Sequence, residues 1–306
     1  MYLKILVPLD GSDLAECVLP HVDALTGDRE DARITFLYVV QRLDVPLTDA
    51  SYKKRIEADG KKAAEGYLKK LTANSKYKNR ASGKVLIGKV ADTIIDYAAR
   101  NKTDLIVMAT HGRSGIISHW FYGSVAEKVV HGTKIPIWLV KAASCDKVSY
   151  AHNRKLSVLV PLDGSKVAES VFQHLKELSK QLPKNKLDIV LTRVCEIFAP
   201  PISYPPPISM SWEEYLKYET RRCKKICQEY LIHVQDRLNK YGLKTRTEVP
   251  EGNPAEVLIG YINKNRIDLV IMSTHGRTGI SKWAFGSIAE KVLKGAQCPI
   301  LLIRAK

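Results

Sequence analysis

The sequence lacks the patterns that mark membrane-spanning, secreted and zinc-binding proteins. No apolar run approaches the ~20 residues that a transmembrane helix needs, and the N-terminus enters a strand-like run, MYLKILVPLD, without a secretory signal pattern. The six cysteines form no CxxC motif and no zinc-ligand spacing. Cys223 and Cys227 are one helical turn apart, which we interpret as two buried small residues. We therefore expect no metal site, no membrane contact and a location in a reducing cytoplasm.

Signals of catalysis are also scarce. No Ser/His/Asp or Cys/His constellation stands out, and no residue is an obvious general base. The glycine-rich stretches fit neither the G-x-x-x-x-G-K-[ST] phosphate loop nor the G-x-G-x-x-G fingerprint. These absences argue against an efficient enzyme.

Composition indicates a globular chain with two domains. Its 306 residues are enough for two cores of ordinary size, and 45% hydrophobic with 26% charged residues is typical of soluble proteins. The net charge of +16 raises the question of nucleic-acid binding. The basic residues, however, cluster on predicted helices such as 52–73, where apolar residues from Ile56 and Ala63 to Leu71 recur on the other face. We interpret the charge as a solvated helix face and do not expect a nucleic-acid partner.

The chain is one unit written twice. VPLDGS occurs at 7–12 and again at 160–165, and DLIVMATHGRSGIISHWFYGSVAEK at 104–128 returns as DLVIMSTHGRTGISKWAFGSIAEK at 268–291. In each unit strand-like runs alternate with helical patterns, which predicts an α/β fold with a parallel sheet and helices on both faces. We expect a first domain at 1–142, a linker at 143–154 and a second domain at 155–306.

The repeated glycine stretch favours an anion site. A strand, a glycine loop and an S-x-x-E capping box at Ser287–Glu290 follow one another. The N–H groups and dipole at a helix N-terminus attract a phosphate, and glycines let the backbone approach it. The alternative is that the glycines only turn the chain and Ser287 only caps its helix.

Together these motifs resemble the universal stress protein family in its tandem two-domain form. The matching pieces are V-P-L-D-G-S, M-[AS]-T-H-G-R-[ST]-G-I and G-S-[VI]-A-E-K-V, and they cover both halves in order. Nucleotide-binding members carry G-x2-G-x9-G-[ST]; Gly276, Gly286 and Ser287 match that pattern, whereas Ser273 replaces its first glycine. The resemblance implies two tandem doubly wound domains, each a five-stranded parallel sheet of the adenine-nucleotide alpha-hydrolase-like kind.

The resemblance also implies an ATP site at the carboxyl ends of the strands, with Mg²⁺ only as a companion of the phosphates. The main chain near Val194 would meet the adenine, Asp163 the ribose, and the glycine loop the phosphates. In the second half the implied nucleotide-binding residues are Pro161, Leu162, Asp163, Val194, Met272, Ser273, His275, Gly276, Arg277, Gly279, Gly286, Ser287 and Ile288. The weaker candidates in the first half are Pro8, Leu9, Asp10, Val39, Met108, Ala109, Gly112, Gly115, Gly123, Ser124 and Val125.

Several alternatives stay open. Asp10 and Asp163 fit strand-end turn residues as well as ribose ligands. His275 and Arg277 fit loop or solvent roles as well as phosphate contacts. For the whole chain, the leading hypothesis is a cytoplasmic ATP-binding stress-response regulator with at most slow ATPase activity. The rivals are a nucleotide-free scaffold for protein partners or another small anion, and, disfavoured, a nucleotidyl-transfer enzyme.

The two halves differ in ways that predict unequal sites. Ten residues separate Gly112 from Gly123, but nine separate Gly276 from Gly286. The second half also carries a Pro-rich insertion at 199–210, which we expect to be an extended loop beside the binding edge. The last strands, near 136–141 and 299–304, are short and apolar, so we expect them to pair within the chain; a homodimer is a further possibility.

Overall fold

The computed structural model describes residues 1–27, 29–42, 50–77, 79–110, 123–141, 154–182, 186–196, 211–274 and 286–304. Both halves alternate strands and helices. The first half contains β1 (Lys4–Leu9), α1 (Asp13–Glu16), α2 (Leu19–Thr26), β2 (Arg33–Gln41), α3 (Ala50–Thr72), β3 (Ala81–Gly88), α4 (Val90–Arg100), β4 (Leu105–Ala109), α5 (Ser124–Gly132) and β5 (Ile137–Val140). The second contains β6 (Leu156–Pro161), α6 (Lys166–Glu169), α7 (Val171–Gln181), β7 (Leu187–Thr192), α8 (Trp212–Asn239), β8 (Thr245–Glu248), α9 (Pro254–Lys264), β9 (Leu269–Ser273), α10 (Ser287–Gly295) and β10 (Ile300–Ile303).

The strands form one ten-stranded sheet in the order β3-β2-β1-β4-β5-β10-β9-β6-β7-β8. Within each half the strands are parallel, which confirms the predicted pair of tandem five-stranded α/β units. The halves meet where β5 and β10 pair antiparallel, with Leu139 opposite Ile300 and Trp138 opposite Leu301. The predicted pairing of the last strands within the chain is therefore confirmed. Residues 143–153 of the predicted linker lie outside the described ranges. The proposed domain limits therefore stay a prediction.

The central strands β4 and β9 read as unbroken apolar runs because helices cover both faces of the sheet. In β4, Val107 belongs to the core on one face and Met108 to the core on the other, and both are buried. The same alternation in β9 places Ile271 and Met272 on opposite faces. The ends of both strands are thereby packed on both faces of the sheet.

Two helical predictions need correction. The single helix predicted up to about Leu25 is two helices, α1 and α2, because the chain breaks before a second N-terminus that carries a proline in its first turn. In α3, Ile56 and Ala63 were predicted on the buried face but are exposed, whereas Ala64 and Leu68 are buried. Both exposed residues lie at the margin of the face that carries Ala64 and Leu68, and the apolar pattern does not separate the margin of a face from its centre.

Reciprocal contacts clamp the two halves together. Lys141, after β5, donates from Nζ to the carbonyl of Lys294 at 2.7 Å, and Arg304, after β10, donates to the carbonyl of His131 at 2.7 Å. Each half thus supplies a cation to the C-terminal end of a helix in the other half, where the helix dipole favours positive charge. Burial lowers the pKa of Lys141 to about 8.

The N-terminus adds a second contact between the halves. The Tyr2 hydroxyl lies 2.9 Å from Nδ1 of His174, and Gln181 of the same helix, α7, donates to the Tyr2 carbonyl at 2.9 Å. The neighbouring α2 buries His21, whose ring lies 6.0 Å from that of Trp138 in β5. The junction is therefore built from side chains as well as from the strand pair.

The cysteines differ from prediction at one position. Cys223, predicted as a buried free residue, is half-buried and joined to Cys195 in a disulfide, with the Cα atoms 5.8 Å apart. Cys227, one turn further along α8, is buried as expected and is in no disulfide. The pairing escaped prediction because its partner lies 28 residues away, outside any local motif.

Candidate functional site

The topology creates a crevice at the carboxyl edge of each half. In the first half β1 lies between β2 and β4, so the chain leaves β1 towards one side of the sheet and returns through β4 on the other. The second half repeats this arrangement with β6 between β7 and β9. Open α/β sheets bind ligands at such switch points. The segments that follow β1 and β4, or β6 and β9, are therefore the natural site residues.

The glycine loops leave and rejoin the sheet at matched positions. The Gly123 amide donates to the Thr110 carbonyl at 2.7 Å, and the Gly286 amide donates to the Thr274 carbonyl at 2.8 Å. Both threonines are buried at the ends of β4 and β9. Because equivalent hydrogen bonds close the two loops, the extra residue of the first loop belongs to 111–122. The corresponding segment of the second half is 275–285. The predicted residues Gly112, Gly115, His275, Gly276, Arg277 and Gly279 lie outside the described ranges.

The predicted capping box is wrong. The N-cap of α10 is Gly286, and Ser287 is the first helical residue; Gly123 and Ser124 hold the same positions in α5. The S-x-x-E pattern misled because a serine at the first helical position has the same spacing to the glutamate. In these two helices no side chain of the described residues accepts from the first turn. The first-turn N–H groups behind each glycine cap thus have no cap side chain, a geometry suited to an anion.

The two strand-end aspartates form turns. Asp163 Oδ1 accepts from the Ser165 amide at 2.9 Å and from its hydroxyl at 2.6 Å, and Ser165 Oγ then accepts from the Ala168 amide at 3.1 Å. Asp10 repeats this geometry with Ser12. The turn interpretation is therefore correct for one carboxylate oxygen. Because it engages only Oδ1 among these bonds, it does not exclude a ribose contact by the same side chain.

The remaining predicted residues line the strand ends. Val39 lies in β2, two residues before its end, and Val194 lies two residues beyond β7; both are half-buried and pack on the core. The side chains of Leu9, Leu162, Met108, Met272, Ala109 and Ser273 are buried. Pro8, Pro161 and Val125 are half-buried, and Ser124, Ser287 and Ile288 are exposed. The buried members can reach a ligand through their backbones or as the floor of the crevice.

A polar cluster beside the aspartate turn was missed by sequence reasoning. In the second half Tyr230 of α8 donates to Glu169 at 3.1 Å, and the Arg193 guanidinium lies 4.8 Å above the Tyr230 ring. The first half has Tyr67 donating to Glu16 at 2.8 Å. Burial, followed by the carboxylate, raises the pKa of both tyrosines, which therefore stay protonated donors. The signal was available, because both Tyr–Glu pairs recur in the repeat.

Arg193 distinguishes the two clusters. Its guanidinium packs on Gly164, where the closest nitrogen is 3.0 Å from the place a Cβ would occupy, and Gly164 has a φ of +91°. A side chain there would be strained and would collide with the arginine. The repeat offset aligns Arg193 with Tyr38, whose ring meets Tyr67 edge-on at 6.1 Å. Only the second aspartate turn therefore has a cation packed against it at this position.

Other ligand sites are less developed in the described part of the chain. The described residues contain no cluster of three His, Cys, Asp or Glu side chains that could hold a metal ion. Within the same ranges no helix is long and apolar enough to cross a membrane. An open surface depression of about 500 Å³ lies between β8 and α9, lined by Arg246, Glu248, Val257, Gly260, Tyr261, Lys264 and Asn265. None of these is a predicted site residue.

Fold and site thus define a tandem α/β protein with a repeated crevice built around an aspartate turn and a glycine-capped helix. The chain belongs to the universal stress protein family, whose model matches residues 1–141 and 156–304. A universal stress protein of Methanocaldococcus jannaschii is 32% identical over 48% of this chain and 81% of its own. One from Mycolicibacterium smegmatis is 26% identical over 71% of this chain and 66% of its own. A universal stress protein structure from Archaeoglobus fulgidus, 18% identical, covers 99% of both chains with a TM-score of 0.67 and supports the fold.

Proposed function

We propose that this protein binds ATP at the carboxyl edge of its sheet and acts as a cytoplasmic regulator in the stress response. The observation that carries the proposal is the glycine-capped N-terminus of α10, directly beyond a strand end at the switch point. First-turn N–H groups and the helix dipole stabilise a phosphate there, and the glycine cap leaves room for its approach. Mg²⁺ would enter only with the phosphates.

The ribose is assigned to Asp163 and the base to the backbone near Val194. Asp163 follows β6, which is the immediate neighbour of β9, so it lies at the same edge of the sheet as Ser273. A carboxylate accepting from ribose hydroxyls makes charge-assisted hydrogen bonds. Val194 follows β7, on the other side of β6, which leaves the crevice bounded by three consecutive strands.

The second half is proposed to bind more tightly than the first. Its loop has the spacing of the family's nucleotide-binding pattern, whereas the first loop carries one more residue. Arg193 also adds a positive charge beside the Asp163 turn, where the first half has Tyr38. Both differences favour a polyanionic ligand in the second crevice.

Regulation, and not turnover, is the role we infer for the nucleotide. No residue of the sequence is an obvious general base, so we infer that any ATP hydrolysis would be slow. In the structure of a universal stress protein family member from Arabidopsis thaliana, that protein has AMP bound. The rival function is a nucleotide-free scaffold for protein partners.

Native mass spectrometry of the purified chain, followed by calorimetric titration with ATP, ADP, AMP and cyclic nucleotides, tests the proposal. We expect co-purified or titratable ATP, and a weakened interaction in Asp163→Asn. Ser157→Ala, at the opposite end of β6, serves as the control and should bind ATP as the wild type does. Absence of nucleotide together with no thermal shift on adding ATP would favour the scaffold.

A further inference from the structure

We propose that Cys195 and Cys223 form a reversible thiol–disulfide site that controls the order of the front of α8, defined as residues 212–222. The two cysteines are bonded with their Cα atoms 5.8 Å apart, well inside the range of ordinary disulfides. No part of the proposed ATP site is needed for this inference. It assigns a role to a bond that nucleotide binding does not use.

Cys195, one of the two bonded cysteines, is held firmly by the sheet. Cys195 is fully buried one step beyond Val194, and its backbone bridges to Glu251 in the sheet. Its amide donates to the Pro250 carbonyl at 2.8 Å, and its carbonyl accepts from the Gly252 amide at 3.1 Å. Cys195 is therefore part of the carboxyl edge and cannot follow a movement of α8.

The front of α8, which precedes Cys223, is weakly held by packing. The fully buried residues of α8 are Cys227, Leu231, Val234 and Leu238, all of them beyond Cys223. In the front of α8, Trp212 is 41% and Tyr218 is 55% exposed. Besides the disulfide, an exposed ion pair joins Lys224 to Glu251. Exposed pairs contribute at most about 1 kcal/mol, so the covalent bond is the strongest attachment of the front of α8 among the described residues.

The first half shows the same contact without the bond. The repeat offsets align Cys195 with Val40 and Cys223 with Gly60, and a Cβ at Gly60 would lie 3.2 Å from Val40 Cγ1. The two helices thus approach their sheets at equivalent points, but only the second half has sulfur at both. A covalent tether has been added at a contact that the fold already provides.

The disulfide closes the chain between Cys195 and Cys223 into a loop. It links residues 28 apart and encloses the Pro-rich insertion at 199–210, whose own structure lies outside the described ranges. Among the described residues, reduction leaves the front of α8 joined to the body through the helix beyond it and through half-buried side chains such as Tyr215 and Leu216. Local unfolding of a weakly packed helix end then becomes accessible.

The chemistry requires a dithiol of small-molecule or protein origin. Its thiolate attacks Sγ of Cys223, the half-buried partner, and Cys195 leaves as a thiolate that takes up a proton. The second thiol of the reductant then attacks the mixed disulfide and releases Cys223 as a thiol. Two electrons and two protons pass to the protein, and the reductant becomes a cyclic disulfide. An oxidising disulfide reverses the exchange.

Hydrogen exchange on the full chain, before and after treatment with dithiothreitol, tests this proposal, with thiol alkylation and mass measurement reporting the redox state. We expect amide exchange in the front of α8 to rise by about tenfold or more on reduction, and to return on reoxidation. Residues 50–60 of α3 should not change. Cys223→Ser should exchange fast in both conditions, whereas Cys17→Ser, which alters a cysteine outside the disulfide, should respond as the wild type does.

Two outcomes would overturn the inference. One is unchanged exchange in the front of α8 after alkylation proves that the wild-type disulfide is reduced. The other is that the folded protein does not form the disulfide under oxidant, or that the dithiol does not reduce the disulfide. The wild-type measurement decides both, so the test does not depend on whether the serine variant folds.

Discussion

We predict that acid destabilises the junction between the halves because of the buried His21. This residue of α2 is 1% exposed, and its ring lies beside Trp138 of the junction strand β5. Burial lowers its pKa from the ordinary 6.5 to about 4. The folded chain therefore keeps His21 neutral at pH values where the unfolded chain has already protonated it.

The direction and size of the effect follow from this difference. The contribution of neutral His21 to the free energy of unfolding is complete above pH 6.5 and is lost as the pH falls towards 4. At 1.36 kcal/mol for each pKa unit, the full loss is about 3.4 kcal/mol, of which about 2 kcal/mol is lost by pH 5. Burial also lowers the pKa of His174 across the junction, which acts in the same direction.

Urea unfolding at pH 7.5 and pH 5.0 measures this loss. We compare the wild type with His21→Gln, which removes the titrating group, and with His233→Gln on the exposed face of α8 as the control. The wild type and the control should each lose about 2 kcal/mol more than His21→Gln between the two pH values. Equal losses in all three proteins would refute the argument, whatever the stability of His21→Gln at pH 7.5.

Four further predictions concern the site and the two halves. Asp163→Asn keeps an oxygen for the turn but removes the charge, so calorimetry should show ATP weakened by about ten- to a hundred-fold with little change in stability. Gly286→Val should abolish most ATP binding and Gly123→Val should matter less, because an extra residue displaces a chain by up to ~3.5 Å and the first loop already carries one. A fragment of residues 1–145 leaves β5 unpaired and should dimerise or aggregate in solution scattering. Cys223→Ser should lower the free energy of unfolding under oxidising conditions by about 3.5 kcal/mol, from the 28-residue separation of the bonded cysteines.

Each of these has a contrary result. Unchanged affinity with a large loss of stability in Asp163→Asn would make that residue a turn former only. Two sites of equal affinity, each removed by its own glycine mutation, would contradict unequal halves. A well-behaved monomer of 1–145 would show that the strand pair is not needed for solubility. Equal stability of Cys223→Ser and wild type in oxidant would mean that the bond does not constrain the unfolded chain.

The sheet could be predicted from the sequence because buried parallel strands are written as apolar runs. Leu105–Ala109 and Leu269–Ser273 each follow an aspartate and precede a glycine loop, and the repeat confirms each by the other. The pairing of β5 with β10 followed from two short apolar strands that solvent exposure would leave liable to aggregate. Patterns with one physical cause were the predictable ones.

The errors arose where one pattern has two causes. The S-x-x-E spacing fits a serine at the N-cap or one position inside the helix, and only the backbone of Gly286 distinguishes them. Ile56 lies at the margin of the buried face of α3, which the apolar pattern does not separate from its centre. The Cys195–Cys223 bond and the Arg193 contact with Gly164 join distant segments, so no local motif encodes them.

The antiparallel strand pair at the centre of the sheet has a consequence for how the chain responds to dilution. Because β5 and β10 run in opposite directions, the carboxyl edges of the two halves face away from each other. Separate chains joined in this way would come apart at low concentration, but one polypeptide keeps its halves at a fixed effective concentration. The paired state is thereby independent of expression level. One half can then diverge in sequence without a second gene product having to match it.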